Sequence, residues 1–199
     1  MSIIDRMVIR RFHEMRTNEN GEGSVRALGY RHDEDQLARF AMLAGIGDMN
    51  DCLVIDAGCG YGDLRGYLED KYPRLKYVGI DQSEAFLVIA AERYAELPAT
   101  EFYLGDFCNT QLPPADYVLA SGSLNYHSNE PDFIYQTISR LFTASRIAFG
   151  FNLLSKIDSG GILVAHNADE ITRYCRTLSA NVVLHDNYFD GDFTVWMYK

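Results

Sequence analysis

From residue 52 onward the chain alternates short apolar runs with amphipathic stretches of about a dozen residues, the texture of a parallel sheet flanked by helices. LVIDAG (53–58), YVGID (77–81), EFYLGD (101–106), ADYVLASG (115–122) and RIAFGFNLL (146–154) read as strands buried on both faces. Between them DLRGYLEDKY, SEAFLVIAAERYAEL and PDFIYQTISRLF read as helices. In the second, Phe86, Ile89, Ala90 and Tyr94 recur on one face, and Pro131 opens the first turn of the third. Asn167 caps ADEITRYCRTLS, with Glu170 completing a capping box. VVLHDNY and FTVWMYK, joined through DGD, predict a terminal antiparallel hairpin.

Ahead of this alternation lies an amphipathic helix over residues 3–16, then polar, glycine-containing Thr17–Ser24, which predicts a flexible connection. A second helix starts at Asp33 as N-cap with Gln36 three residues on, carries Leu37, Phe40, Ala41 and Ala44 as its stripe, and ends near Gly45–Gly47. The expectation is one domain over 1–199, with 1–45 as a helical lid or extension.

Composition narrows the partners. Of 199 residues, 47% are apolar, ample for one core, and the formal charge is −10. With a pI near 4.9, the chain repels phosphate backbones and anionic membrane surfaces. Arg6, Arg10, Arg11 and Arg16 would form a solvated helix face. No apolar stretch reaches membrane-spanning length, so a soluble, cytoplasmic protein with a small-molecule partner is expected, without nucleic acid or membrane. Cys52, Cys59, Cys108 and Cys175 form no C-x-x-C pair and have no histidine at ligand spacing, which predicts reduced thiols and no metal site.

The chemistry starts where the first strand ends, in DAGCGYGD. A strand that turns tightly into a helix points backbone amides at a ligand crevice, and glycines let that ligand come close. The second strand ends in Asp81, 25 residues after Asp56, where a carboxylate can accept both hydroxyls of a ribose. The spacing is not that of a dinucleotide site: Asp63 occupies the last position of G-x-G-x-x-G, and glycine comes one residue early. No lysine and hydroxyl residue follow, so a phosphate-binding loop is absent too. Asp56 would face a pyrophosphate badly and suits a cationic group.

VIDAGCGYG with Asp81, GDF at 105–107 and DYVLASG at 116–122 resemble the class I S-adenosylmethionine-dependent methyltransferases. The resemblance covers about residues 36–199. It implies a Rossmann-like α/β three-layer sandwich, a mostly parallel seven-stranded sheet of order 3-2-1-4-5-7-6 with strand 7 antiparallel. It also implies S-adenosyl-L-methionine as cofactor and S-adenosyl-L-homocysteine as product. Gly58, Gly60 and Gly62 would approach the methionine part, Asp56 would meet its ammonium, and Asp81 would hold the ribose. Gln82 would lie beside the adenine, Asp106 and Phe107 would bond and cover it, and Ala120 and Ser121 would lie beneath the reactive methyl group. Arg39 would suit the cofactor carboxylate if its helix covers the site, and a surface salt bridge is the alternative.

Displacement at a sulfonium needs alignment above all, and an acceptor hydroxyl or ammonium also needs a base. His127, in SGSLNYH after the fourth strand, leads on its near-neutral pKa, with Tyr126 beside it and His32 and Tyr30 next. The fourth strand ends in Ser121-Gly122-Ser123 and lacks both the nucleobase-methylation signature and a metal-binding aspartate. This favours metal-independent methylation of a small molecule over nucleic-acid modification. A protein that binds the same cofactor for other chemistry or for sensing is the alternative. Gly160 and Gly161 could hinge a lid.

Overall fold

The computed structural model describes residues 1–157 and 161–199. In chain order the elements are α1 (Ile3–Asn20), α2 (Asp33–Ala44), β1 (Leu53–Ala57), α3 (Asp63–Glu69), β2 (Lys76–Asp81), α4 (Glu84–Arg93) and β3 (Thr100–Leu104). They continue as β4 (Ala115–Ala120), α5 (Phe133–Ala144), β5 (Ser145–Leu154), α6 (Ala168–Leu178), β6 (Asn181–His185) and β7 (Asp192–Tyr198).

The seven strands form one sheet of order β3-β2-β1-β4-β5-β7-β6. The first five strands pair in parallel, and β7 runs antiparallel to both β5 and β6. Successive side chains leave a strand on opposite faces, and that parity builds two cores. Ile55, Val118, Phe149 and Val195 face Ile138 and Leu141 of α5 and Ile171 and Cys175 of α6. Val54, Tyr117, Leu119 and Ala148, one residue out of phase, face Phe40 and Leu43 of α2 and Leu64 and Leu68 of α3. The central strands are apolar throughout because helices cover both faces.

Three local expectations change. The helix α1 runs through the polar TNEN to Asn20, whose amide donates to the Arg16 carbonyl; Gly21, at φ 85°, then ends it. The N-cap of α2 is His32, whose backbone N–H donates to Asp35, while Gln36 turns inward to Asp63. Pro131 precedes α5 rather than opening its first turn. Of the expected hinge, Gly160 lies outside the described residues, and Gly161 sits at φ 127°.

The chain order reverses between β1 and β4, which opens a crevice beyond the carboxyl ends of the strands. The segment α1 and the turns that follow it lie across that crevice. No helix among the described residues is long and apolar enough to cross a membrane.

Candidate active site

A cavity of about 1030 Å³ fills the crevice, floored by the loops after β1, β2, β3 and β4 and roofed by α1, residues 28–31 and the start of α2. Its floor is tied together by the backbone. Gly58 and Cys59 both donate to the Ile80 carbonyl, at 2.8 and 3.1 Å, and clasp the glycine loop to the end of β2. The Gly60 N–H donates at 2.9 Å to one oxygen of Asp81, and the Ser83 N–H donates at 2.9 Å to the other. Burial raises the Asp81 carboxyl above the usual range, with those amides pulling it back. Ser83 caps α4 with its own hydroxyl, so Asp81 remains for the cavity.

The glycines divide the work. Gly60 sits at φ 54°, where a Cβ would stand 2.8 Å from Leu28 of the roof. Gly62, at φ 76°, lies outside the cavity lining: a Cβ there would meet Phe102 and Tyr94 at 2.9 and 3.0 Å. Its expected approach to a ligand is therefore corrected to close packing of α3 against the sheet. Gly58 lines the cavity with Ser123 pressed against it, and the Ser123 hydroxyl donates to the Ala57 carbonyl. Tyr61 turns inward onto Phe86, ring centroids 4.6 Å apart.

Asp56 is the most telling group. It is 1% exposed, one carboxylate oxygen accepts from the Tyr77 hydroxyl at 2.6 Å, and the other has no partner. Burial, with Asp81 and Asp63 nearby, lifts its carboxyl to about 7 against the Tyr77 hydrogen bond. A buried carboxylate oxygen that faces a cavity unpartnered calls for a cation or a donor. Ser121 likewise lines the cavity with a buried, unpartnered hydroxyl.

Gln82 and Phe107 line the cavity as expected. Asp106 lines it too, yet its carboxylate already accepts from Arg6 at 2.9 Å, from Asn109 at 2.8 Å and from the Cys108 N–H at 3.0 Å. Arg6 is thus an anchor of α1 rather than part of a solvated face. Ala120 is fully buried in the α5/α6 core and is absent from the lining, so the strand meets the cavity only at Ser121.

Arg39 is no free receptor for a carboxylate. It is 9% exposed and clamps Asp192 with two hydrogen bonds of 2.8 and 3.0 Å, which joins α2 to the start of β7; the Tyr30 ring lies 5.0 Å from its guanidinium carbon.

Both expected histidines are displaced. The segment around Tyr126 bridges Leu163 as a short antiparallel pair, and alternation sends Tyr126 into the cavity and His127 out to solvent, against a shallow groove beside α1. His32 is exposed at the start of α2 and lends only its backbone. The histidine in the cavity is His13 of α1, with Nδ1 3.0 Å from the Ala27 carbonyl and Nε2 2.8 Å from the Tyr126 hydroxyl. Its signal was faint: His13 shares the inward stripe of Asp5 and Ile9 at four-residue spacing. Among the described residues, no three histidine, cysteine or acidic side chains are grouped to hold a metal ion.

Comparison with known proteins agrees with this geometry. The methyltransferase domain family matches residues 55–145. A putative methyltransferase of Mycobacterium tuberculosis, Rv1506c, is 31% identical over 157 residues, 73% of this chain and 92% of that protein. Trans-aconitate 2-methyltransferase of Variovorax paradoxus is 37% identical over 119 residues, 58% of this chain, but the match spans only 43% of that relative's length. The magnesium protoporphyrin IX methyltransferase of Synechocystis, solved with bound S-adenosylhomocysteine, superposes with a TM-score of 0.73 at 18% identity, covering 98% of this chain and 99% of that one. With 31% identity across nearly the whole of one such relative and the sheet order described above, the chain belongs to the class I S-adenosylmethionine-dependent methyltransferases.

Proposed function

We propose that the protein transfers a methyl group from S-adenosylmethionine to a small-molecule acceptor, at oxygen or nitrogen and without a metal ion. The observation that carries this reading is the unpartnered buried oxygen of Asp56, a residue of the cavity lining. An α-ammonium would satisfy it, and Asp56 would then ionise in full. Asp81, with each oxygen already oriented by a backbone amide, has lone pairs left for two ribose hydroxyls. Gln82 and Phe107 border the adjoining space and suit a flat base; Asp106 would reach it only by sharing its contacts with Arg6 and Asn109.

When bound, the cofactor supplies a sulfonium methyl group already activated for displacement. The residues of the chain then have to hold, orient and exclude water. Ser121 and Gly58 shape the floor between the β1 and β4 loops, and α1 with residues 28–31 covers part of the site. Fixing the reacting partners in line is worth on the order of 7–11 kcal/mol of barrier. The small-molecule assignment agrees with the substrate that the trans-aconitate relative's name states and with a cavity of about 1030 Å³.

Calorimetric titration of ligand-free protein with S-adenosylmethionine and S-adenosylhomocysteine, with NAD as control, tests the reading. Micromolar binding of the first two alone is expected. Folded protein that binds neither would overturn it.

A further inference from the structure

We propose that the methyl acceptor is an un-ionised hydroxyl group, and that its proton leaves through the Tyr126 hydroxyl to Nε2 of His13. This rests on the methyl-transfer reading above and adds the acceptor class and the route of the proton.

The geometry fixes the direction of transfer. A carbonyl oxygen only accepts, so Nδ1 of His13, 3.0 Å from the Ala27 oxygen, carries the ring proton. In the neutral imidazole Nε2 is then a bare lone pair, and the Tyr126 hydroxyl 2.8 Å away donates to it. With its proton committed to His13, the Tyr126 oxygen offers lone pairs to a donor in the cavity, which both side chains line. Phe12, Phe86 and Tyr126 pack edge-on around the imidazole at centroid distances of 5.2, 5.3 and 5.7 Å and hold the ring in place. The charged groups facing this pair are Asp81 from the end of β2, Arg16 from α1 and Arg39 from α2, with the Tyr30 hydroxyl alongside. Burial keeps His13 below the ordinary imidazole value and pushes Tyr126 up, so the resting pair is neutral.

A carboxylate acceptor arrives ionised, needs no base and would want a free cation. Most of the cavity's cations are engaged elsewhere: Arg39 by Asp192, Lys156 by Asp190 and Arg16 by the Arg26 carbonyl, and Arg31 has contacts of its own, while Arg10 stands exposed at the rim. A hydroxyl needs what the cavity does supply. As the new C–O bond forms, the C–S bond breaks and leaves its electron pair on sulfur. The acceptor proton passes to the Tyr126 oxygen, and the Tyr126 proton passes to His13 Nε2. The resulting imidazolium faces Asp81, which favours its charge, and it loses its proton to solvent before the next turnover.

Two measurements on the full chain test this. Nitrogen NMR of the histidines should find His13 neutral at pH 7 with its proton on Nδ1, and Tyr126→Phe should shift the Nε2 resonance. A charged ring, or a proton on Nε2, would overturn the proposal without any acceptor in hand. Methyl-labelled S-adenosylmethionine with a deproteinised bacterial metabolite extract should give label stable to alkali and released as methyl iodide by hydriodic acid. Tyr126→Phe should slow its formation by about 10²–10⁴-fold. The wild-type rate should fall on the acid side as His13 protonates, and His13→Gln should lose that limb. Alkali-released methanol from an ester, an N-methyl product, variants with the wild-type rate and pH profile, or binding without any labelled product would each overturn the proposal. Failure of the underlying methyl-transfer reading would differ, showing as no cofactor binding in calorimetry.

Discussion

Where the β1 and β2 loops meet on the floor of the cavity, contacts are short in sequence and donated by backbone N–H groups: Gly58 and Cys59 to the Ile80 carbonyl, Gly60 and Ser83 to the Asp81 carboxylate. On the roof they are long in sequence and made by side chains. Asp5 accepts from Asn129, 124 positions away, Arg6 donates to Asp106 across 100, and His13 meets Tyr126 across 113. A floor built from strand ends cannot move without tearing the sheet, whereas the roof is held by a handful of polar contacts and two small apolar clusters around Ile9 and Ala27. This division suits a site that must keep a cofactor in a fixed pose and yet exchange its ligands.

Variants on either side should separate the two behaviours. The largest effect is expected at the seam, where Arg39→Leu leaves Asp192 buried without its partner; a stability loss of about 3–5 kcal/mol is expected in denaturant unfolding. A loss near zero would mean that Asp192 is readily hydrated. On the floor, Gly60→Val forces a β-branched residue to positive φ against Leu28. Cofactor binding should weaken by at least about 30-fold, from at least about 2 kcal/mol of strain, with the sheet still folded by circular dichroism. Asp81→Ala should cost roughly 1–3 kcal/mol of cofactor affinity by calorimetry, and unchanged affinity would refute the ribose assignment.

The pH dependence follows from Asp56. Its carboxyl titrates near 7 in the free protein and must be ionised to hold an ammonium. Affinity should therefore be flat just above neutrality and weaken by up to about tenfold per unit from pH 7 toward 5. Asp56→Asn should bind weakly and show no such slope. The smallest effect belongs to the roof. Asp5→Ala removes the N3 half of the α1 capping box and its hold on Ser128 and Asn129, for about 1 kcal/mol. Hydrogen exchange should quicken in α1 and stay unchanged in β1 and β2; equal quickening in both would end the distinction between roof and floor.

The same division decided what the sequence made legible. Near-continuous apolar runs marked β1, β4 and β5, and a strand followed by spaced glycines with an acid ending the next strand marked the floor. Those signals are local, because neighbouring residues make the structure they announce. Asp192 as the partner of Arg39 left no such trace, since an ion pair across 153 positions has no local pattern. The choice of Tyr126 over His127 turned on one residue of strand parity, set by a bridge to Leu163 that neither segment announces. His13 left no local signal either: reading residues 1–45 as a lid or extension does not say which face of α1 turns inward, and its stripe has meaning only with the crevice beneath it in place.

The Ser2–Asp5 capping box gives α1 a history as well as a place. Asp5 accepts from the Ser2 N–H at 3.2 Å, and Asp5's own N–H donates to the Ser2 hydroxyl at 3.1 Å, so two donors of this helix end are satisfied with no help from the rest of the chain. During synthesis α1 emerges before Asp106, Tyr126 and Asn129 exist, and contacts of such separation close late in folding. The same carboxylate that first steadies the waiting helix later receives Ser128 at 2.9 Å and Asn129 at 2.7 Å. The roof of the cavity is thus assembled late, from residues made before the strands that it covers.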